Sequence, residues 1–151
     1  MRKRMVVGVT QRVDYIDTHQ EWRDALDQRL IDWVVKAGFV PVPIPNNLFN
    51  VNLSKNNQTV FDSWLHTVNM SGLLLSGGND IGSALHRDLT EDYLLSLSEK
   101  NRIPTLGICR GMQMMGVYSG AKLINVDNHA GTQHKLHKVS NTKIQLPDME
   151  N

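Results

Sequence analysis

Ile103-Pro104-Thr105-Leu106-Gly107-Ile108-Cys109-Arg110-Gly111-Met112-Gln113-Met114-Met115 passes from a short apolar run into a segment of helical character. A cysteine stands at the join and a glycine two residues to either side. An apolar run of this length suits a buried strand. A sharp strand-to-helix turn needs small residues on both sides, so that strand and helix pass without a clashing Cβ. Gly107 and Gly111 meet that need. A thiol at a helix N-terminus also faces the positive end of the backbone dipole, which favours the thiolate. The stretch therefore reads as a nucleophile elbow carrying sulfur in place of oxygen, with Cys109 as the reactive group. The competing reading is a buried cysteine packed as a small hydrophobe. It takes no account of the strand before, the helix after and the spacing between the glycines.

Outward from the elbow, strand-like and helix-like segments alternate. Met5-Val6-Val7-Gly8-Val9 reads as a first buried strand. Trp22, Ala25, Leu26, Leu30, Trp33, Val34 and Ala37 then follow helical spacing up to a stop at Gly38. Residues 39–44 predict a second strand, near a sheet edge because of Pro41 and Pro43. Residues 46–58 are polar and asparagine-rich, a loop by composition. Val60, Phe61, Trp64, Leu65 and Val68 make the next helical face, ahead of an apolar strand over 72–75. Thr90 is placed to cap a helix carrying Leu94, Leu95 and Leu97, with Glu91 and Asp92 in its first turn. After the elbow, Lys122-Leu123-Ile124-Asn125-Val126 predicts another strand. This alternation calls for a doubly wound, mainly parallel sheet with helices on both faces, in which ligands bind beyond the carboxyl ends of the strands.

Bulk properties narrow the classes. A chain of 151 residues predicts one domain spanning 1–151. A net charge of +1 with 21% charged residues gives no reason to expect nucleic acid or a membrane surface as partner. One cysteine leaves no intramolecular disulfide framework and suits a reducing compartment. Met1-Arg2-Lys3-Arg4 looks like the basic start of a signal peptide, but the apolar run behind it is too short. The expected location is the cytoplasm. No residue pattern requires a cofactor or a metal.

Leu106-Gly107-Ile108-Cys109-Arg110-Gly111-Met112-Gln113 closely resembles the nucleophile motif of class I glutamine amidotransferases, in particular their γ-glutamyl-γ-aminobutyrate hydrolase branch. Gly72-Leu73-Leu74-Leu75-Ser76-Gly77-Gly78-Asn79-Asp80-Ile81 is similar to that branch's glycine-rich loop. Arg87-Asp88 with Glu91, and Gly120-Ala121-Lys122-Leu123, are looser matches in the same order. The resemblance implies a flavodoxin-like α/β fold. It also implies attack of Cys109 on a small γ-glutamyl amide, through a γ-glutamyl thioester that water hydrolyses. Backbone N–H groups of Gly78 and Arg110 are the expected oxyanion hole. Gln113, Asn79 and Arg87 are the expected substrate contacts, and Arg12 is a further candidate for a substrate carboxylate or phosphate.

One departure stands out. The family carries its catalytic histidine and glutamate as a His-x-Glu motif well beyond the elbow, and no such triplet follows Cys109 in this sequence. The expectation is therefore a C-terminally incomplete amidotransferase-like domain. Three readings stay open: a hydrolase whose sequence is cut short, a binding subunit or pseudoenzyme without turnover, and a split enzyme completed by another polypeptide. A synthase is a further candidate partner. His129, His134 and His137 form a late cluster whose default reading is a solvated polar loop, and the catalytic role is not transferred to any of them. An incomplete sheet would expose edge backbone and apolar helix faces, which predicts a marginally stable or homo-oligomeric product.

Overall fold

A computed structural model describes residues 4–48, 56–127 and Thr132, with side chains undescribed over 56–59. The first strand, β1 (Val6–Thr10), lies inside a four-stranded parallel sheet. Its neighbours are β4 (Val40–Ile44) on one side and β5 (Gly72–Leu75) on the other, and β6 (Thr105–Gly107) lies beyond β5. The chain leaves β1, returns on one flank as β4, then crosses to the opposite flank as β5. That reversal opens a crevice at the carboxyl ends of β1 and β5. Here Ser76 donates its backbone N–H to Thr10 Oγ1 at 3.0 Å, tying the two strand ends together.

Alternation along β5 divides the core. Leu73 and Leu75 face one side, where α2 (Asn56–Val68) contributes Phe61 and Leu65. On the same side α3 (Leu85–Asn101) contributes Leu94 and Leu95, and α4 (Arg110–Tyr118) contributes Met114. Leu74 faces the other side and packs with Val9 and with Val34 of α1 (Gln28–Lys36). A strand buried on both faces reads as an unbroken apolar run, as Gly72-Leu73-Leu74-Leu75 does. The mixed α/β architecture, with its parallel sheet and helices on both faces, is the flavodoxin-like class expected. The edge position of β4 also explains its prolines. Val40 donates to Met5 O at 2.9 Å, which leaves the alternate positions 41 and 43 on the side where no N–H is required. Among the described residues β6 pairs only with β5, and Leu106 on it is exposed. No described helix is long and apolar enough to cross a membrane.

Four expectations are corrected. Trp22 and Ala25 do not start a helix; they lie in β3 (Glu21–Ala25), which forms an antiparallel hairpin with β2 (Arg12–Ile16). Tyr15 pairs with Trp22 across this hairpin, ring centroids 4.7 Å apart. Such an aromatic cross-strand pair stabilises a ribbon in a way that helical spacing does not reveal. Thr90 does not cap a helix: α3 begins at Leu85, so Thr90 is internal and its buried hydroxyl donates to Asn46 O at 3.0 Å. Residues 122–126 form no strand; Leu123, Ile124 and Val126 are exposed, so the apolar run lacks the burial that would reward pairing. Within the expected 46–58 loop, Asn46–Leu48 is a 3-10 turn and α2 already begins at Asn56.

The true start of α1 is set by Asp27, whose carboxylate accepts from Arg29 N at 2.9 Å. Hydrogen bonds from the Arg29 side chain, then from its backbone N–H, lower the Asp27 pKa to about 2. The folded-state value lies below the ordinary 3.8, so this cap's contribution is present above that value and fades as pH falls through about 2. Carboxyl NMR should find the Asp27 midpoint near 2; a midpoint in the ordinary carboxylate range would contradict the cap and ion pair.

Candidate active site

Cys109 occupies the join between β6 and α4 with φ 52° and ψ −110°, a conformation that L-residues rarely hold. Its side chain is exposed. Ile108 N–H bonds to Leu75 O at 2.9 Å and Gly111 N–H to Ile108 O at 2.9 Å, so the turn is clamped from both ends. The glycines are required sterically. A Cβ on Gly107 would stand 2.5 Å from Met112 N, and one on Gly111 would stand 2.2 Å from Leu75 O. Strain of this kind costs about 1–3 kcal/mol. Cys109→Gly should therefore stabilise the fold by about 1 kcal/mol after the extra chain entropy of glycine is subtracted. Denaturant melts check this, and an unchanged or lowered midpoint would show that the turn is not strained.

Facing the elbow is the glycine loop that follows β5. A Cβ built on Gly77 would lie 3.6 Å from Cys109 Cβ, so the loop backbone runs directly against Cys109. Gly78 has φ 84° and Asn79 φ 55°, a pair of left-handed residues that turns the loop back on itself. Neither the Gly78 nor the Arg110 backbone N–H bonds to a protein acceptor among the described residues. Asn79 is oriented toward β2: its Nδ2 donates to Val13 O at 2.9 Å, and its Oδ1 accepts from Val13 N at 2.8 Å. The carboxamide therefore pins the loop to the hairpin.

Behind the loop lies a buried ionic cluster. Arg87 is fully buried and donates Nη2 to Ser76 O at 2.7 Å and to Ser76 Oγ at 3.1 Å. Its Nη1 donates to Gly78 O and, at 3.1 Å, to Asn79 Oδ1. Its Nε donates to Glu91 Oε1 at 3.0 Å. Arg110 is equally buried; its Nη1 donates to Glu91 Oε2 and its Nη2 to Asp88 Oδ1. Burial lowers the Arg87 pKa, Glu91 opposes that shift, and the Arg110 charge adds to it.

The residues singled out from sequence thus divide. Cys109, Gly78 and the Arg110 backbone converge at the ends of β5 and β6. Gln113 is exposed on the first turn of α4, its N–H bonded to Cys109 O at 3.2 Å. Arg87 and Asn79, expected to face substrate, bond to protein groups that shape the loop. Arg12 lies on the rim of a groove of about 830 Å³ that adjoins the loop and is lined also by Leu26, Arg29, Trp33, Gly77 and Ile108. No histidine lines it among the described residues, and His129, His134 and His137 lie outside those residues. Sequence reading missed Thr10 and the central place of Glu91. The available signal was the single helical face shared by Arg87, Glu91, Leu94 and Ser98, on which ions replace apolar residues.

A parallel α/β sheet with a strained cysteine at its strand-to-helix join, opposite a glycine loop, has the geometry of a nucleophile-elbow α/β fold. Comparison with known families agrees: residues 5–149 match the Peptidase C26 family, and the chain belongs to it. It is 31% identical over 140 residues to the γ-glutamyl-CDP-amidate hydrolase of Campylobacter jejuni, an alignment covering 84% of this chain and 62% of that protein. It is 27% identical over 134 residues to a Schizosaccharomyces pombe protein named as a candidate glutamine amidotransferase, covering 79% of this chain and 47% of that one. The chain thus spans about three fifths of one curated relative and about half of the other.

Proposed function

We propose that this chain carries the nucleophile half of a γ-glutamyl amide hydrolase. The observation that supports this best is the exposed Cys109 held at φ 52° at the head of α4, against the backbone of Gly77. The Cys109 thiolate attacks the γ-carbonyl carbon, and the oxygen takes the negative charge between the N–H groups of Gly78 and Arg110. Each such donor supplies about 3 kcal/mol of transition-state stabilisation. The C–N bond then breaks and the amine leaves with a proton. Water attacks the thioester, releasing glutamate and restoring the thiol. Both proton transfers need a general acid and base, the role that histidine and glutamate fill in amidotransferases of this type.

The amine portion fits the groove beside the loop. Arg12 and Arg29, exposed there and each paired with one carboxylate, Asp14 and Asp27, and the half-exposed indole of Trp33 suit a leaving group that carries phosphate and a flat ring, the chemistry in the name of the Campylobacter relative. A working thiolate belongs in a reducing compartment such as the cytoplasm. The test is acid quenching of the protein with a γ-glutamyl amide, followed by intact mass and peptide mapping. A γ-glutamyl adduct on Cys109 is expected. Glutamate release without an adduct at Cys109, or an adduct elsewhere, would overturn the proposal.

A further inference from the structure

Among the described charged groups near the elbow, Glu91 alone bonds to the arginines on both sides of it while reaching no solvent. Its side chain is fully buried. Oε1 accepts from Thr10 Oγ1 at 2.7 Å and from Arg87 Nε at 3.0 Å, and Oε2 accepts from Arg110 Nη1. The Arg87 arm ends on Ser76, Gly78 and Asn79, the loop itself. The Arg110 arm ends on the residue immediately after the nucleophile. Thr10 closes the set, because its Oγ1 also accepts the Ser76 N–H.

A buried cluster of this kind is poor value as a source of stability. Desolvating the ions cancels most of their attraction, and apolar residues of similar volume often hold a core as well or better. Ions supply direction instead: each guanidinium and each carboxylate oxygen fixes its partner at a set distance and angle. Two cations also face one another across Glu91, with Asp88 the second carboxylate in reach of Arg110. Loss of the Glu91 charge would leave the loop-bearing and elbow-bearing guanidinium groups repelling each other.

We propose that Glu91 is a positioning residue that sets the gap between the glycine loop and the nucleophile elbow, and so the spacing of the Gly78 and Arg110 N–H groups. This rests on the oxyanion role proposed above. Glu91 touches no substrate; it acts through Arg87 and Arg110.

The experiment uses the full chain with two thiol probes and amide hydrogen exchange. Iodoacetamide needs only an exposed thiol, so Glu91→Gln should leave its rate on Cys109 nearly unchanged. A diazoketone analogue of glutamine needs its carbonyl held between the two N–H groups while the diazo carbon takes a proton from water, sulfur bonds to that carbon and dinitrogen leaves. Its rate should fall about a hundredfold. Equal slowing of both probes, or of neither, would overturn the proposal.

Hydrogen exchange tests the linkage without reference to chemistry. The amide read is that of buried Ser76 at the head of the loop, whose N–H is held by Thr10 Oγ1 and so, through Thr10, by Glu91. Arg110→Met should speed exchange at Ser76 about tenfold in the wild-type background and add nothing in Glu91→Gln. Additive effects, or no effect at Ser76, would overturn it. If the diazoketone fails to label wild-type protein while Ser76 exchange still depends on Arg110 through Glu91, the γ-glutamyl reading fails and the positioning role stands. Should Glu91→Gln not fold, Arg110→Lys keeps the charge but cannot span Glu91 and Asp88 together. It carries the same expectations for both probes and for Ser76.

Discussion

Gly111→Ala should leave little folded protein. Its new Cβ would lie 2.2 Å from Leu75 O, 2.6 Å from Leu75 Cβ and 2.7 Å from Leu75 C. None of these atoms is the end of a flexible side chain. Leu75 is fully buried in β5, so relief must come from α4 backing away from the sheet. That movement would uncover Met114 and pull Arg110 off Glu91 and Asp88. Overpacking and a broken buried ion cluster together cost about 4 kcal/mol or more. A domain of this size has only about 5–15 kcal/mol of stability in total. The control lies on the same helix. A Cβ on Gly116 meets only Ala121 Cβ at 3.9 Å, so Gly116→Ala should stabilise by about 0.5–1 kcal/mol through helix propensity. Urea melts and soluble yield of the two variants decide the matter; equal stability would remove the steric account of the elbow.

Cys109→Ala should abolish both turnover and the γ-glutamyl adduct, with a fall on the order of 10⁶-fold wherever wild-type turnover is measurable. The fold should survive. The thiol is exposed and is not part of either hydrophobic cluster, and alanine at φ 52° carries the same backbone strain as cysteine. A change in stability within about 0.5 kcal/mol is expected. Cys109→Ser should behave almost as badly, because a hydroxyl has far less nucleophilic anion available than a thiol without an adjacent base. Unchanged glutamate release in Cys109→Ala would refute the nucleophile assignment. Set beside Cys109→Gly, the series separates strain from chemistry: both variants lose the reaction, and only glycine relaxes the turn.

Much of this was legible along the chain because the elbow is a local object. Strand, cysteine and helix are consecutive, and the steric demand on Gly107 and Gly111 comes from neighbours within a few residues or from the adjoining strand. The β5 strand and the glycine loop were legible for the same reason, since an apolar run followed by Gly77-Gly78 announces a buried strand and a tight turn. Trp22 shows where such reading fails. Its spacing to Leu26, Leu30 and Trp33 fits a helix, yet it pairs with Tyr15 in a ribbon, because that contact forms across a turn and leaves no periodic mark.

The contacts of the buried arginines arise only in three dimensions. Charge and position made Arg87 a natural substrate contact, and helical spacing put Glu91 on its face. Nothing local reveals that α3 packs this face inward, with Thr10 from 81 residues away on one carboxylate oxygen and Arg110 from 19 residues away on the other. Burial is a property of what lies opposite a helix, and ionic partners are chosen by proximity in space. The elbow at Cys109 and the steric need for its glycines were therefore carried by adjacent residues. The spacing of the site around that nucleophile arises only when the helix, the strand ends and the loop close on one another.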